Sequence, residues 1–439
     1  MKRILCVALT LVLVFPVLTI AEETYTAHYV FSLLQSEDYD ALYALFGKPM
    51  RAGVKTKEDI PSYFPLLGEP VRFGIETTTI EESFGESCRK TVIPFYYEDN
   101  VVIFQVYWQD NLIVGMFQGT IPMEKVSLGE IPEGIREDGV CVGDMPLFGL
   151  VTVPEERSAL LPAVVLLHGS GPADMDEAVG NTKMFRDLAH GFAQKGIASL
   201  RYYKRTYVYG NEYSAEEIKL FTVREESIND AVTAAQILRT DPRIDPERIY
   251  LVGHSMGAML APRIAQENPG LFAGIILLSG TPKTLADIVL SQNQALVDAM
   301  SPLEKIVGNM QMAALRQSWK DVLKGSAEEA KGKTVFGQPA YYFWEMAQYD
   351  TAEILKTLDI PVLIINGGAD FQVIDADGID AWRAAELPEN VQLSYYPSLN
   401  HLLMNPDAPD SMRGTTKEYD IPCHVSEEVI DEVAAFILN

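Results

Sequence analysis

The sequence predicts an α/β protein: a mostly parallel, eight-stranded sheet with a helical cap, preceded by a small α+β unit. Three observations carry this. From about residue 136 onward, short and nearly continuous apolar stretches alternate with helix-spaced ones, the pattern of a parallel sheet covered on both faces. A serine flanked by glycines, in "VGHSMGA" at 252–258, stands where one such strand meets a helix. Residues from 22 to about 121 have another rhythm, helical spacing first and then strand-like alternation.

Taken in order, the first 21 residues read as a secretory signal. Lys2 and Arg3 precede the apolar run "ILCVALTLVLVFPVLTI", and Thr19-Ile20-Ala21 supplies small residues at a cleavage point. The alternative is an uncleaved anchor, since the run is near the lower limit for a span. Cys6 lies too early to be a lipoprotein cysteine. No other segment is long and apolar enough to cross a bilayer. The expected location is therefore secreted, periplasmic or cell-surface, with no stable membrane insertion after cleavage. Cleavage removes two positive charges and takes the formal charge from −26 to −28. Such a field repels nucleic acid and anionic membrane surfaces. Cys88, Cys141 and Cys423 remain, too few and too widely spaced for a disulfide framework or a zinc site; one bridge remains open.

Residues 22–125 are expected to form the accessory α+β unit. "AEETYTAHYVFSLLQSEDYDALYALF" has helical spacing, and "RKTVIPFYYEDNVVIFQVYWQDNLIVGMFQ" alternates and is rich in β-branched and aromatic residues. Its Ser87-x-x-Lys90 string matches a penicillin-binding motif, but the S-D-N and K-T-G partners are missing.

Residues 126–439 are expected to form the second domain. "GVCVGDMPLFGLVTVP" reads as an antiparallel pair. The parallel strands are "PAVVLLHG", "GIASLRYY", "RIYLVGHS", "AGIILLSG", "PVLIINGG" and "VQLSYYP". A helix at 224–239 places Ile228, Ala231, Val232, Ala235 and Leu238 on one face, and the last helix does the same with Val425, Val429, Val433 and Phe436. Residues 282–350 are too long for a connection and too apolar for a linker, so they read as a helical cap.

The sequence Gly253-His254-Ser255-Met256-Gly257 fits G-x-S-x-G between a strand and a helix. That context describes a nucleophile elbow, in which small neighbours leave room for a strained turn. A serine hydroxyl needs a base, which in this topology follows the nucleophile with an acid between. Of six histidines only His401 and His424 follow Ser255. His401 stands just past a strand's carboxyl end and is the expected base; His424, opening the last helix, reads as a cap or packing residue. The acid is Asp370, which closes "PVLIINGGAD"; Asp375 and Asp377 lie at the next helix start and read as capping or solubilising groups. The oxyanion donors are expected to be the N–H of Met256 and, from "LLHGSGP", the N–H of Ser170. As a phosphate-binding turn that loop is incomplete, because no Walker lysine follows.

These strings, with "HGSGPADMDE", "FRDLAHGFAQKGIASLRYYKRTYVYG", "NGGADFQV" and "LNHLLM…EYDIPCHV", resemble a group of bacterial serine esterases of the α/β-hydrolase superfamily. Residues 25–121 more loosely resemble the cystatin-like domain often fused ahead of them. The resemblance implies carboxylester hydrolysis with Ser255, Asp370 and His401 at the triad positions. The group usually reads "RYDKR" where this chain has "RYYKR", so Tyr203 replaces an acid, while Arg201, Lys204 and Arg205 match. The expected activity is hydrolysis of small, short-to-medium acyl esters through an acyl-enzyme, with no metal or organic cofactor. A peptidase, an acyltransferase or thioesterase, and a non-catalytic module that has kept the elbow are the alternatives. Glu304, Glu328, Glu329 and Glu345 of the cap could anchor a peptide terminus or simply be solvated. Some of Tyr341, Tyr342, Phe343 and Trp344 are expected to line the acyl pocket. The sequence does not specify an oligomeric state.

Overall fold

The alternation of apolar stretches builds the second domain directly. In a computed structural model that describes residues 25–65, 68, 70–122, 130–143 and 145–439, eight strands form one sheet. They are β1 (Ile135–Val142), β2 (Leu147–Pro154), β3 (Leu161–Leu167), β4 (Ala198–Tyr202), β5 (Ile244–His254), β6 (Gly274–Leu278), β7 (Val362–Gly367) and β8 (Val391–Tyr396). Their spatial order is β8-β7-β6-β5-β3-β4-β2-β1. β2 pairs antiparallel with β1 and β4, and the other pairings are parallel. The mostly parallel eight-stranded sheet is thus as the sequence predicts. The leader at 1–21 and the 125/126 boundary lie outside the described residues, among which no helix is long and apolar enough to cross a membrane.

Both faces of the sheet are covered, which is why its central strands are apolar throughout. One face carries α1 (Asn229–Thr240) and α2 (Met256–Glu267), with Ile228, Ala231, Ala235 and Leu238 packed on the strands. Val232 is only half-buried, and the expected helix at 224–239 begins with a π-helical turn, Arg224–Ile228. The other face carries the helix Met184–Gln194 and the last helix, Glu427–Leu438, whose Val429 and Val433 are fully buried. Edge strand β8 is partly exposed, which accounts for its mixed composition.

Residues 282–350 fold as helices above the carboxyl ends of the strands, chiefly α3 (Leu285–Asp298), α4 (Pro302–Lys324) and α5 (Ala340–Met346), with a short hairpin at 334–339 that the helical spacing does not foretell. Among the described residues the first unit has four short α-helices and one 3-10 turn, followed by an antiparallel sheet at 72–122. Its Val92, Tyr96, Val101 and Ile103 join Cys141, Phe148 and Leu150 in one apolar cluster, so that sheet packs on the β1–β2 edge. Ser87 and Lys90 lie along one of its strands, where buried Lys90 pairs with Glu81 at 3.6 Å. Cys88, Cys141 and Cys423 are free thiols.

Candidate active site

Strand β5 and helix α2 meet at Ser255, whose φ of 53° and ψ of −115° are strained for a residue with a Cβ. Two glycines make that turn possible. A Cβ on Gly253 would lie 2.3 Å from the Gly257 carbonyl oxygen, and one on Gly257 would lie 2.2 Å from that of Leu167. The Ser255 N–H donates to the Leu278 carbonyl at 2.9 Å, which ties the elbow to the end of β6.

The loop after β7 carries Asp370, and the loop after β8 carries His401; both are buried. His401 Nδ1 donates to Asp370 Oδ2 at 2.7 Å. Asp370 Oδ1 accepts the backbone N–H of Gln372 at 2.7 Å and of Val373 at 2.8 Å, which fixes the carboxylate's orientation. The His401 ring lies 4.8 Å from that of His254, the residue before Ser255. Ser255 Oγ makes no hydrogen bond among the described residues, to His401 or elsewhere. Such contacts often tighten only when substrate is bound.

The loop after β3 passes beside the elbow: a Cβ on Gly169 would lie 3.2 Å from the Ser255 Cβ. Met256 opens α2, where an N–H has no intrahelical partner. Among the described residues the N–H of Ser170 meets no acceptor, whereas that of Gly169 is taken by Glu177 Oε1 at 2.6 Å.

Three buried features here have no motif in the sequence. Glu177 Oε2 stands 3.1 Å from His254 Nδ1, not aligned for a hydrogen bond, while His254 Nε2 donates to the His401 carbonyl at 3.0 Å. Burial opposes charge on His254, but Glu177 outweighs it and raises the imidazole's pKa; burial also disfavours the Glu177 carboxylate, and His254 outweighs that too. His168, by contrast, is pushed down to about 4 by burial. Its ring Nε2 donates to the Asp174 carbonyl at 2.9 Å. Arg201, in β4, joins Asp176, Glu137 and Thr152 under the same loop. The Glu137 carboxyl is held down at about 2: burial alone would raise it, but His190 and Arg201 overcome that.

Other expectations are revised. His424 neither caps nor packs the last helix, which is capped at Ser426; it is exposed and its Nδ1 meets Asp187 at 2.9 Å. Asp377 is not a solubilising group: it is buried, pairs with Lys283 and accepts from Ser291 of α3, fastening cap to sheet. Asp375 accepts from Tyr395. Of the cap acids, Glu304 and Glu329 cap their own helices, Glu328 pairs with Lys331, and Glu345 with Arg263. A cavity of about 520 Å³ lies under the cap and reaches Ser170; its apolar walls are Ile218, Phe221, Leu285, Val289 and Phe343. Tyr342 lines it as well, but Tyr341 and Trp344 stack on each other outside it. The carboxylate on this cavity is Glu226, from the π-helical turn.

This elbow-and-loop geometry has sequence relatives. A family profile described as "Serine aminopeptidase, S33" matches residues 163–407, more than half of the chain. The chain belongs to this family of α/β-hydrolases. Esterase EstD of Thermotoga maritima is 35% identical over 310 residues, which span 70% of this chain and 69% of that protein. Solved structures similar to this chain include Est1E from Butyrivibrio proteoclasticus, at 14% identity and a TM-score of 0.41, covering 68% of this chain and 97% of that one. Another is the proline iminopeptidase of Mycobacterium smegmatis, at 15% identity and a TM-score of 0.43, covering 69% and 98%. The chain is a serine hydrolase of the esterase kind.

Proposed function

We propose that the protein is an exported serine carboxylesterase that hydrolyses short-to-medium acyl esters through an acyl-enzyme. Ser255 attacks the acyl carbonyl, and His401 takes its proton and returns it to the leaving alcohol. Asp370 holds the ring in the tautomer with a free Nε2 and stabilises the imidazolium without being protonated. The N–H groups of Ser170 and Met256 receive the oxyanion. Water then repeats the sequence and releases the acid. The observation that carries this reading is the 2.7 Å Asp370–His401 contact, made one ring away from a strained, glycine-flanked serine.

The cavity's size, about 520 Å³, is in the usual range for small-molecule sites, and its apolar walls suit an acyl chain. The family's peptidase members make peptide cleavage the second reading, and Glu226 is the observation that bears on it. Its oxygens are already engaged by Thr206, Tyr342 and Lys204, which leaves a substrate ammonium no free carboxylate there. Export rests on Lys2, Arg3 and the apolar run after them.

One preparation assayed on p-nitrophenyl acetate, butyrate and octanoate and on a proline p-nitroanilide tests the reading. The expected result is fastest turnover of the short esters. Faster cleavage of the anilide would replace the esterase with a peptidase.

A further inference from the structure

We propose that Lys204 is a positioning residue that aims and strengthens the Ser170 N–H as an oxyanion donor. The inference rests on the assignment of that N–H under the proposed function. Lys204 is buried, two residues past the end of β4 and far from the nucleophile in sequence. Its ammonium has three N–H donors. One goes to the Gly169 carbonyl at 2.7 Å and one to the Gly171 carbonyl at 2.9 Å. Glu226 Oε1 lies 3.3 Å away and balances the charge.

The covalent geometry does the rest. The Gly169 carbonyl and the Ser170 N–H belong to the same peptide group. A planar trans peptide holds those two bonds antiparallel. Fixing the carbonyl on Lys204 therefore points the Ser170 N–H away from Lys204, and rotation of that peptide would break the bond to the ammonium. Glu177 pins the preceding N–H, that of Gly169, at 2.6 Å. Gly171, with a φ of 82°, lets the chain turn so that its own carbonyl also reaches the ammonium. Of the two N–H groups at 169 and 170, only that of Ser170 stays unclaimed.

A cation on the carbonyl also polarises the amide, so its N–H becomes a better donor, and the low-dielectric surroundings favour that cooperative effect. Glu226 in turn accepts from Tyr342 of the cap at 2.5 Å and from Thr206 at 2.9 Å. The clamp is thereby tied to the cap as well as to the sheet.

The test is Lys204→Met, which keeps the length and removes the donors, assayed for kcat and KM on p-nitrophenyl butyrate. The same variant is titrated with an alkyl trifluoromethyl ketone, whose hemiketal adduct on serine presents the oxyanion. Loss of one oxyanion donor costs about 10²–10³ in kcat, so a misaimed one is expected to cost about 10- to 100-fold. KM should stay within about threefold, and inhibitor affinity should fall in parallel with kcat. Lys204→Arg, which keeps the charge, should recover part of both.

Lys204→Met leaves Glu226 buried without a cation, so the double variant Lys204→Met/Glu226→Gln serves as the version that keeps charge balance. It should show the same loss of kcat and of inhibitor affinity. Unchanged inhibitor affinity in either folded variant, or a loss in KM alone, overturns the proposal. Ser255→Ala separates this from failure of the site itself: if Ser255→Ala stays active, the triad reading falls and Lys204 has no oxyanion to serve. An inactive Ser255→Ala beside a fully active Lys204→Met removes the Lys204 proposal alone.

Discussion

Asp370→Asn isolates the part proposed for Asp370, because the structure dictates how the amide must sit. In the native protein Oδ1 accepts two backbone N–H bonds and Oδ2 accepts from His401 Nδ1. An asparagine side chain offers one oxygen acceptor and one NH₂ donor. Turning the NH₂ toward Gln372 and Val373 would face donors with donors and leave buried N–H groups unpaired, at about 1–3 kcal/mol each. The oxygen therefore stays on the backbone and the NH₂ faces His401. Nδ1 must then accept, so the ring proton moves to Nε2, the atom that should receive the Ser255 proton. A wrong tautomer costs about 10⁴ in kcat, or about 5 kcal/mol of transition-state stabilisation. Both backbone bonds survive, so the melting temperature should hardly move. The assay is kcat on p-nitrophenyl butyrate, with thermal unfolding of the same sample. A variant that folds normally and keeps more than about a tenth of the native kcat would refute the reasoning.

Three further outcomes follow from the same structure. His168, whose folded pKa of about 4 lies below its unfolded value of about 6.5, is neutral in the folded chain between those values and takes up a proton there when the chain unfolds. Its contribution is full above pH 6.5 and declines as pH falls toward 4, by an amount on the order of 3 kcal/mol; His168→Gln should flatten that part of a stability–pH curve, and an unchanged slope would count against a buried neutral imidazole. Ser255→Gly should abolish ester turnover yet raise unfolding stability by about 1 kcal/mol, since glycine tolerates φ 53°; a less stable variant would mean the elbow stores no strain. Val289→Phe narrows the cavity and should lower kcat/KM on the octanoate at least about tenfold with the acetate unchanged; equal losses on both esters would place the acyl chain elsewhere.

The sheet was legible because each central strand is buried on both faces and must be apolar along its whole length. The strained turn was legible because only glycines fit beside Ser255; chain order then left His401 and His424 as candidate bases, and the strand-end positions of Asp370 and His401 made them the proposed pair. What stayed hidden depends on side chains that meet across the fold. Lys204 reaches Gly169 over 35 positions, and Tyr342 reaches Glu226 over 116; no local spacing encodes either. There was a signal in "RYYKR", though: charged residues in or just past an apolar strand must find partners once buried, and Arg201 and Lys204 both do. The cap aromatics show the opposite limit. Four adjacent residues point different ways around one helical turn, so Tyr342 and Phe343 meet the cavity while Tyr341 and Trp344 do not. His424 and Asp377 were misread because a polar residue near a helix start reads as a cap until its distant partner, Asp187 or Lys283, is known.

The most direct measurement is covalent capture. The protein is incubated with a fluorophosphonate, digested, and the modified peptide sequenced by mass spectrometry. One phosphonylated residue is expected, Ser255, with labelling lost in Ser255→Ala and slowed in His401→Ala. An adduct on any other residue, or a native, ester-hydrolysing protein that takes no label, would contradict it.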